Sequence, residues 1–385
     1  MPLPEDAVAH AVVGRHLRLR RGETLTVETW SSGIAWARAI LLEARRRGVA
    51  GTLVYEDEET FFRSLSLPIR RLPAPSTGAL AAETDAYVYL PGPEAFLRLL
   101  GLPFEELEAI RIRHGPAWER RARGRGLRAL RVNIAAAGPP AAARYGVDPE
   151  SWRRELLRAS LVPPERLARA ADAVVRRLAG ARRLRIRHPN GTDLSVELAA
   201  GPPYVADGRF RPARNRAFPV WAELPSGMVA VGPREGTAQG RWESNRPSFD
   251  RFASPPVWVG GRFRLARGRL VEFAFERGGR AFAAAFARGG RGAGRLTAVT
   301  VGLNPAVHRA PEVGALARGT VGLLLGDDRR IGGPHRARFS HLTELSGADV
   351  DVDGRPAWRH GRPVDPTGSL QDARGADGGR DARRR

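Results

Sequence analysis

Cysteine and lysine are both missing from this 385-residue sequence, and each absence excludes a set of chemistries. Without cysteine there are no disulfides, no thiolate nucleophile and no cysteine-ligated metal. Without lysine there is no P-loop lysine, no Schiff base and no kinase-type phosphate contact. The motifs H-E-x-x-H and G-x-S-x-G are absent as well. No apolar run approaches the ~18 residues of a membrane span and no signal-peptide core is visible, so we expect a soluble, cytoplasmic protein without a membrane partner.

The sequence is strongly basic, with a formal net charge of +22 from 63 basic residues, and every one of these is arginine. Such a charge makes nucleic acid an obvious candidate partner. However, the arginines are scattered, and the abundance of Ala, Gly, Pro and Arg is typical of a GC-rich genome. Two Arg-Gly-Gly triplets, at 277–279 and 288–290, flank a short predicted apolar helix at 281–287, which favours turns and a helix cap over RNA-binding repeats. We therefore rank nucleic-acid binding last among the candidate functions.

The first half of the chain alternates between strand and helix patterns. Thr24–Thr29 predicts a strand, an amphipathic helix follows, and 52–56 predicts the next strand. Strands at 85–90 and 127–134 continue the series, again separated by helical segments. A β-α-β order implies right-handed crossovers and a parallel sheet. The sequence therefore predicts an open α/β domain over residues 1–180.

The second half of the sequence has a different pattern from the first, because its segments are short and rich in glycine and proline. Two strands joined by Pro189-Asn190-Gly191 predict a hairpin, and further short strands follow, among them one at Trp221. Residues 181–362 are therefore predicted to form a β-rich C-terminal domain, and 363–385 a disordered polar tail. A length of 385 residues suits two domains, so the predicted fold class is α/β with a β-rich second domain.

Several different short motifs follow one another along the chain between about residue 7 and residue 354. They are R-R-G-E-T-L-T-V-E, Y-G-V-D-P-E-S-W, N-G-T-D-L, L-P-S-G-M-V, P-R-E-G-T-A-Q-G, G-L-N-P, G-T-V-G-L-L-L-G-D-D, H-L-T and V-D-G. In order and spacing these motifs resemble the aminopeptidase T / leucyl aminopeptidase family of thermophilic-type metalloaminopeptidases. The resemblance implies a C-terminal active site, a homodimer around an internal cavity, and two divalent metals that activate a water for attack on the first peptide bond.

The family's metal ligands are mostly replaced in this chain. By the resemblance, the glutamate of L-P-x-G-E-V corresponds to Met228, and a second glutamate corresponds to Ala298. The histidine of G-T-V-H corresponds to Gly322, and the final H-x-D pair to His341 and Thr343. Two dications require anionic and imidazole ligands. The resemblance therefore leaves His341 as the one retained ligand, and zinc, cobalt or manganese is expected only if a site survives.

Two other sites remain open in the same stretch of the chain. His335 and His341, with a nearby carboxylate, are candidates for a mononuclear metal site. Arg336 and Arg338 surround His335 and are candidates for binding an anion such as a carboxylate or phosphate, because the guanidinium fork matches those groups. A solvent-exposed structural role is the alternative for each of these side chains.

Three functions follow from the sequence, and no residue is assigned as catalytic. The first is a catalytically degenerate member of the aminopeptidase family that acts as a peptide- or anion-binding accessory dimer. The second is an active metalloaminopeptidase with displaced ligands. The third is a non-specific nucleic-acid binder. The sequence leaves open whether the protein is an enzyme.

Overall fold

The helices and strands of the protein were located in a computed structural model that describes residues 3–67, 79–80, 83–101, 124, 126–210, 221–250 and 253–364. In these ranges the α-helices are α1 (Pro4–Ala11), α2 (Ile34–Arg46), α3 (Glu58–Ser64), α4 (Pro139–Tyr145), α5 (Pro149–Ser160), α6 (Pro164–Leu178) and α7 (Gly279–Arg288). The strands are β1 (Thr24–Thr29), β2 (Ala50–Tyr55), β3 (Ala86–Tyr89), β4 (Arg128–Val132), β5 (Arg183–Arg187), β6 (Asp193–Glu197), β7 (Tyr204–Ala206), β8 (Trp221–Leu224), β9 (Met228–Val231), β10 (Gln239–Glu243), β11 (Ser248–Phe249), β12 (Val257–Trp258), β13 (Arg262–Ala266), β14 (Arg269–Ala274), β15 (Leu296–Gly302), β16 (Thr320–Gly326), β17 (Ser340–Ser346), β18 (Asp349–Val352), β19 (Arg355–Arg359) and β20 (Arg362–Pro363).

A parallel sheet with strand order β2-β1-β3-β4-β8 forms the centre of the first half. Helix α2 connects β1 to β2 and buries one face at helical spacing, with Trp36, Ala37, Ile40 and Ala44 all inside. These side chains join Val27, Val88 and Leu130 of the sheet in one buried apolar core. The predicted β-α-β arrangement and the α/β fold class are confirmed.

The fifth strand of this sheet comes from beyond the predicted domain boundary at residue 180. β8 pairs in parallel with β4, with Leu130 opposite Ala222. The sequence predicts a strand around Trp221 but assigns it to the β-rich half. A strand pattern reports the alternation of side chains and not the sheet that the strand joins, so this placement required the structure.

Antiparallel sheets form the second half. One has eight strands in the order β14-β13-β10-β6-β5-β18-β19-β20, and another has five in the order β17-β16-β15-β9-β7. The predicted hairpin is present as β5 and β6, and Gly191 in its turn has φ +106°. Apolar side chains of both sheets and of helices α6 and α7 share one core. This half is therefore β-rich, as predicted.

The Arg-Gly-Gly triplets lie at the two ends of α7. Gly278 is the residue before the helix and has φ +88°, and Gly289 is the residue after it. A Cβ at Gly278 would lie 2.3 Å from Cδ1 of Trp258, so this turn requires glycine. The prediction of turns and a helix cap is confirmed for these segments.

The predicted tail begins too early by two residues. Pro363 belongs to β20, and Val364 is buried, with 1% of its surface exposed. The remainder of the predicted tail, residues 365–385, lies outside the described residues. Among the helices of the described ranges, none combines the length and apolar character needed to cross a bilayer.

Candidate functional site

Three of the positions that the family resemblance aligns with metal ligands share one face of the five-stranded sheet. Gly322 of β16 lies opposite Thr300 of β15, and Met228 of β9 lies opposite Gly302. Ala298 is two residues before Thr300 and so points to the same side. We call this side the substituted face; it consists of Met228, Ala298, Gly322 and the residues Leu342 and Glu344 of β17, since Glu344 lies opposite Gly322.

His341 and Thr343 lie on the opposite side of the same sheet. His341 is paired with Leu325 and Thr343 with Leu323, and these side chains belong to the main apolar core of the second half. We call this side the core face. The register therefore places His341 and Thr343 on the side of the sheet opposite to Met228, Ala298 and Gly322, because successive strand residues point to opposite faces.

His341 is a core residue. Its side chain lies among aromatic rings, with centroid distances of 5.2 Å to Trp258 and 5.1 Å to Phe282. Burial lowers the pKa of His341 to about 3, so the imidazole is neutral at physiological pH. Its Nε2 atom has no hydrogen-bond partner among the described residues. Within the part of the chain that the structure describes, these surroundings offer packing and no second metal ligand.

Thr343 has a structural role on the same face. The indole Nε1 of Trp242 donates a hydrogen bond to Oγ1 of Thr343 at 3.1 Å, and both residues are buried. Buried polar groups generally require such partners. This contact explains a hydroxyl at a position that is otherwise surrounded by apolar side chains.

Glu344 is the acidic residue that the register brings to the substituted face. Nε of Arg246 donates to Oε2 of Glu344 at 3.1 Å, and the two side chains are only 17% and 13% exposed. Burial raises the pKa of Glu344 to about 7, although Arg246 opposes this shift. A Cβ at Gly314 would lie 2.1 Å from Oε2, so glycine makes room for the carboxyl group there. Nothing in the sequence distinguishes Glu344 from its neighbour Thr343 as the residue facing this side.

His335 lies apart from His341, in the loop that follows β16. Its backbone N–H donates to Oδ1 of Asp328 at 2.8 Å, and Nη1 of Arg295 lies 3.0 Å from its Nδ1. The neighbouring Asp327 accepts a hydrogen bond from Nε of Arg329 at 2.7 Å. Within the described ranges, no group of three or more His, Asp or Glu residues is placed to hold a metal ion. The residues of the substituted face therefore do not fit a two-metal centre.

Arg336 and Arg338 are exposed and alternate with the inward-pointing Ala337 and Phe339. This alternation explains their exposure, since Phe339 packs into the core. Their predicted role in anion binding stays a prediction.

A polar group marks the rim of the substituted face. Tyr204 packs in the apolar cluster of Ala230 and Ala298, and its electrostatic neighbours include Arg330 and Glu223, the latter in β8 of the parallel sheet. There, Nη2 of Arg330 donates to Oε1 of Glu223 at 3.3 Å. Burial alone would raise the pKa of Glu223, but Arg330 and Arg131 outweigh it and hold that pKa below its ordinary value. The rim therefore presents a charged pair beside an apolar floor.

Comparison with known proteins identifies the fold. No protein-family model matches the chain, and no curated protein matches it. Among solved structures, it is similar to wild-type AmpT from Thermus thermophilus, with 19% identity, a TM-score of 0.69, and coverage of 94% of this chain and 99% of that one. It is also similar to 2,5-dihydroxypyridine dioxygenase from Pseudomonas putida KT2440, with 16% identity, a TM-score of 0.64, and coverage of 96% and 100%. The chain thus has the aminopeptidase T fold, as the sequence motifs predict.

Proposed function

We propose that this protein is a non-hydrolytic binding protein built on the aminopeptidase T fold, and that its ligand is a peptide or another small anionic molecule. The observation that supports this proposal is the composition of the substituted face. Met228, Ala298, Gly322 and Leu342 supply no anionic or imidazole ligand there, and Glu344 is already paired with Arg246. Two dications need such ligands to be neutralised and fixed in place.

The fold alone does not decide the chemistry. Of the two structures compared above, AmpT is an aminopeptidase T and the other is a dioxygenase by its name, so one fold carries different reactions. The assignment therefore depends on the side chains of the substituted face. An apolar floor with a charged rim is typical of a binding site for a small molecule that has an apolar body and one charged end.

Arg330 is the group that we propose for the anionic end of the ligand. Its side chain is 69% exposed, and its contact with Glu223 is a single hydrogen bond at 3.3 Å. A ligand carboxylate can form two parallel hydrogen bonds with the guanidinium group, which is a stronger arrangement. The proposed assembly is a homodimer, in line with the family that the motifs resemble.

The test is a binding and metal assay on the untagged full chain, purified without chelators. We expect no bound zinc, cobalt or manganese, no release of N-terminal residues from peptides, and measurable binding of a hydrophobic dipeptide by calorimetry. Arg330→Gln should weaken that binding about tenfold, as expected for loss of a charge-assisted pair. Arg355→Gln, an exposed arginine on β19 outside the substituted face, is the matched control and should bind normally.

Two results would replace the proposal with another function. About two metal equivalents per chain, together with metal-dependent peptide cleavage, would show an active metalloaminopeptidase with displaced ligands. Binding of DNA or RNA that ignores sequence and falls steeply with salt, without dipeptide binding, would show a charge-driven nucleic-acid binder.

A further inference from the structure

A basic pocket lies at the tip of the hairpin between β13 and β14. We call it the hairpin pocket. Its lining contains four arginines and one glutamate, together with His335 and small residues. The lining residues are Pro233, Arg234, Glu235, Gly236, Arg267, Gly268, Arg269, Arg295, Leu296 and His335. A concave site with this excess of guanidinium groups is suited to an anion.

The hairpin turn places an arginine where the backbone disfavours it. Ala266 pairs with Arg269, so Arg267 and Gly268 are the two residues of the turn. Both have positive φ, +50° for Arg267 and +73° for Gly268. This is the pattern of a type I′ turn, which favours Asn-Gly because asparagine tolerates positive φ better than arginine does. A strained residue in a pocket is a reason to look for a function.

Two further arginines are held side by side. Arg269 and Arg295 face each other across an antiparallel bridge. Like charges in this arrangement repel each other. Part of the repulsion is relieved because Arg295 pairs with Glu235 at 2.7 Å, and Arg269 donates to the carbonyl of Arg291 at 2.8 Å. A bound anion would relieve the rest.

Backbone contacts hold the walls of the pocket together. The N–H of Gly268 donates to the carbonyl of Ala238 at 2.9 Å, and the N–H of Leu296 donates to the carbonyl of Gly268 at 3.0 Å. A Cβ at Gly268 would lie 2.9 Å from the backbone nitrogen of Gly236, so the two loops pack directly against each other. The guanidinium groups therefore extend from a fixed frame, which reduces the entropy cost of binding.

From these observations we infer that the hairpin pocket binds a phosphate dianion, either inorganic phosphate or the phosphate group of a small monoester. Arginine recognises phosphate through paired hydrogen bonds, and several arginines around one cavity match its charge and its oxygens. The pocket lies at the Leu296 end of β15, next to Ala298 and far from Met228 of the substituted face. Leu296 and Gly302 are the two ends of β15, and Met228 lies opposite Gly302, so the pocket and Met228 are roughly 20 Å apart along the strand.

Calorimetric titration of the full chain with inorganic phosphate and with glycerol phosphate tests this inference. Wild-type protein should bind at least one of them, and the tighter of the two identifies the source of the phosphate group. Arg267→Asn creates the favoured Asn-Gly turn and so should keep or raise the melting temperature, while it weakens phosphate binding about tenfold or more. Arg269→Gln should weaken binding to a similar degree.

Arg262→Gln provides the matched control, because Arg262 is exposed at the other end of β13 and does not line the pocket. It should bind phosphate as the wild type does. Failure of the wild type to bind either compound would overturn the inference, as would equal affinities in the wild type, Arg267→Asn and Arg269→Gln. Binding restricted to long nucleic acids, with steep salt dependence, would also overturn it and indicate a general basic surface.

Discussion

The core face and the substituted face belong to the same five-stranded sheet but have opposite chemistry. On the core face, His341 is neutral, enclosed by aromatic rings and committed to packing. On the substituted face, Glu344 is a carboxyl group in an ion pair, next to a glycine in the facing strand. The residues on the two faces alternate along β17. The comparison shows that a shift of one residue in an alignment exchanges a ligand position for a core position.

The largest expected effect on stability comes from removing the His341 side chain from the core face. His341→Ala should lower the free energy of unfolding by about 2–5 kcal/mol, because it leaves a cavity between aromatic side chains. His341→Phe should cost less than about 1.5 kcal/mol, since the site is aromatic and Nε2 of His341 has no partner to lose. Urea denaturation of both variants measures this difference. Equal and small losses for the two variants would mean that His341 is not enclosed as described.

The two faces should respond oppositely to pH. The pKa of Glu344 is raised from 4.5 to about 7, so its contribution to stability is present below pH 4.5 and is lost as pH rises to 7. The pKa of His341 is lowered from 6.5 to about 3, so stability is lost as pH falls from 6.5 towards 3. Each slope approaches about 1.4 kcal/mol per pH unit.

Glu344→Gln and His341→Phe separate these contributions in denaturation experiments between pH 3 and 8. In the wild type, the free energy of unfolding should fall by up to about 3 kcal/mol between pH 4.5 and 7, and the glutamine variant should not show this fall. The phenylalanine variant should not show the fall in the free energy of unfolding at acidic pH. If both variants keep the wild-type pH profile, neither residue titrates in the way that its burial implies.

The smallest expected effect comes from a single hydrogen bond on each face. Thr343→Val leaves the indole N–H of Trp242 without an acceptor in the core and should cost about 1–3 kcal/mol. Thr320→Val is the matched change on the other side of the sheet, where Oγ1 of Thr320 lies 3.0 Å from the partly exposed hydroxyl of Ser346. That hydroxyl can bond to water instead, so the second change should cost less. Thermal unfolding compares them, and the reverse order would contradict the face assignment.

Much of the fold could be predicted from the sequence, because it depends on local patterns. The strand Thr24–Thr29 has the predicted bounds, and the predicted apolar helix at 281–287 lies within α7. The hairpin at Gly191 follows from its turn residues. Predicting these features requires only the alternation of side chains in strands, the spacing of apolar residues in helices and the residue types of turns.

The candidate site could not be predicted to the same degree, because it depends on register and on long-range pairing. The family resemblance indicates His341 as the one retained ligand, yet the pairing of Leu325 with His341 directs its side chain into the core. Arg246 is distant in sequence from Glu344, and no local motif links them. The hairpin pocket likewise combines four chain segments that are adjacent only after the sheets have formed.

The position of β8 has a consequence for how the chain is made. A chain synthesised from its N-terminus produces β1 to β4 first, and β4 keeps an open edge until residues 221–224 are available to pair with it. Strands β5, β6 and β7, which belong to the antiparallel sheets, are synthesised in between. The two halves therefore cannot fold to completion one after the other as independent domains. The edge of β4 in the nascent parallel sheet therefore remains unpaired while the first strands of the next half are synthesised.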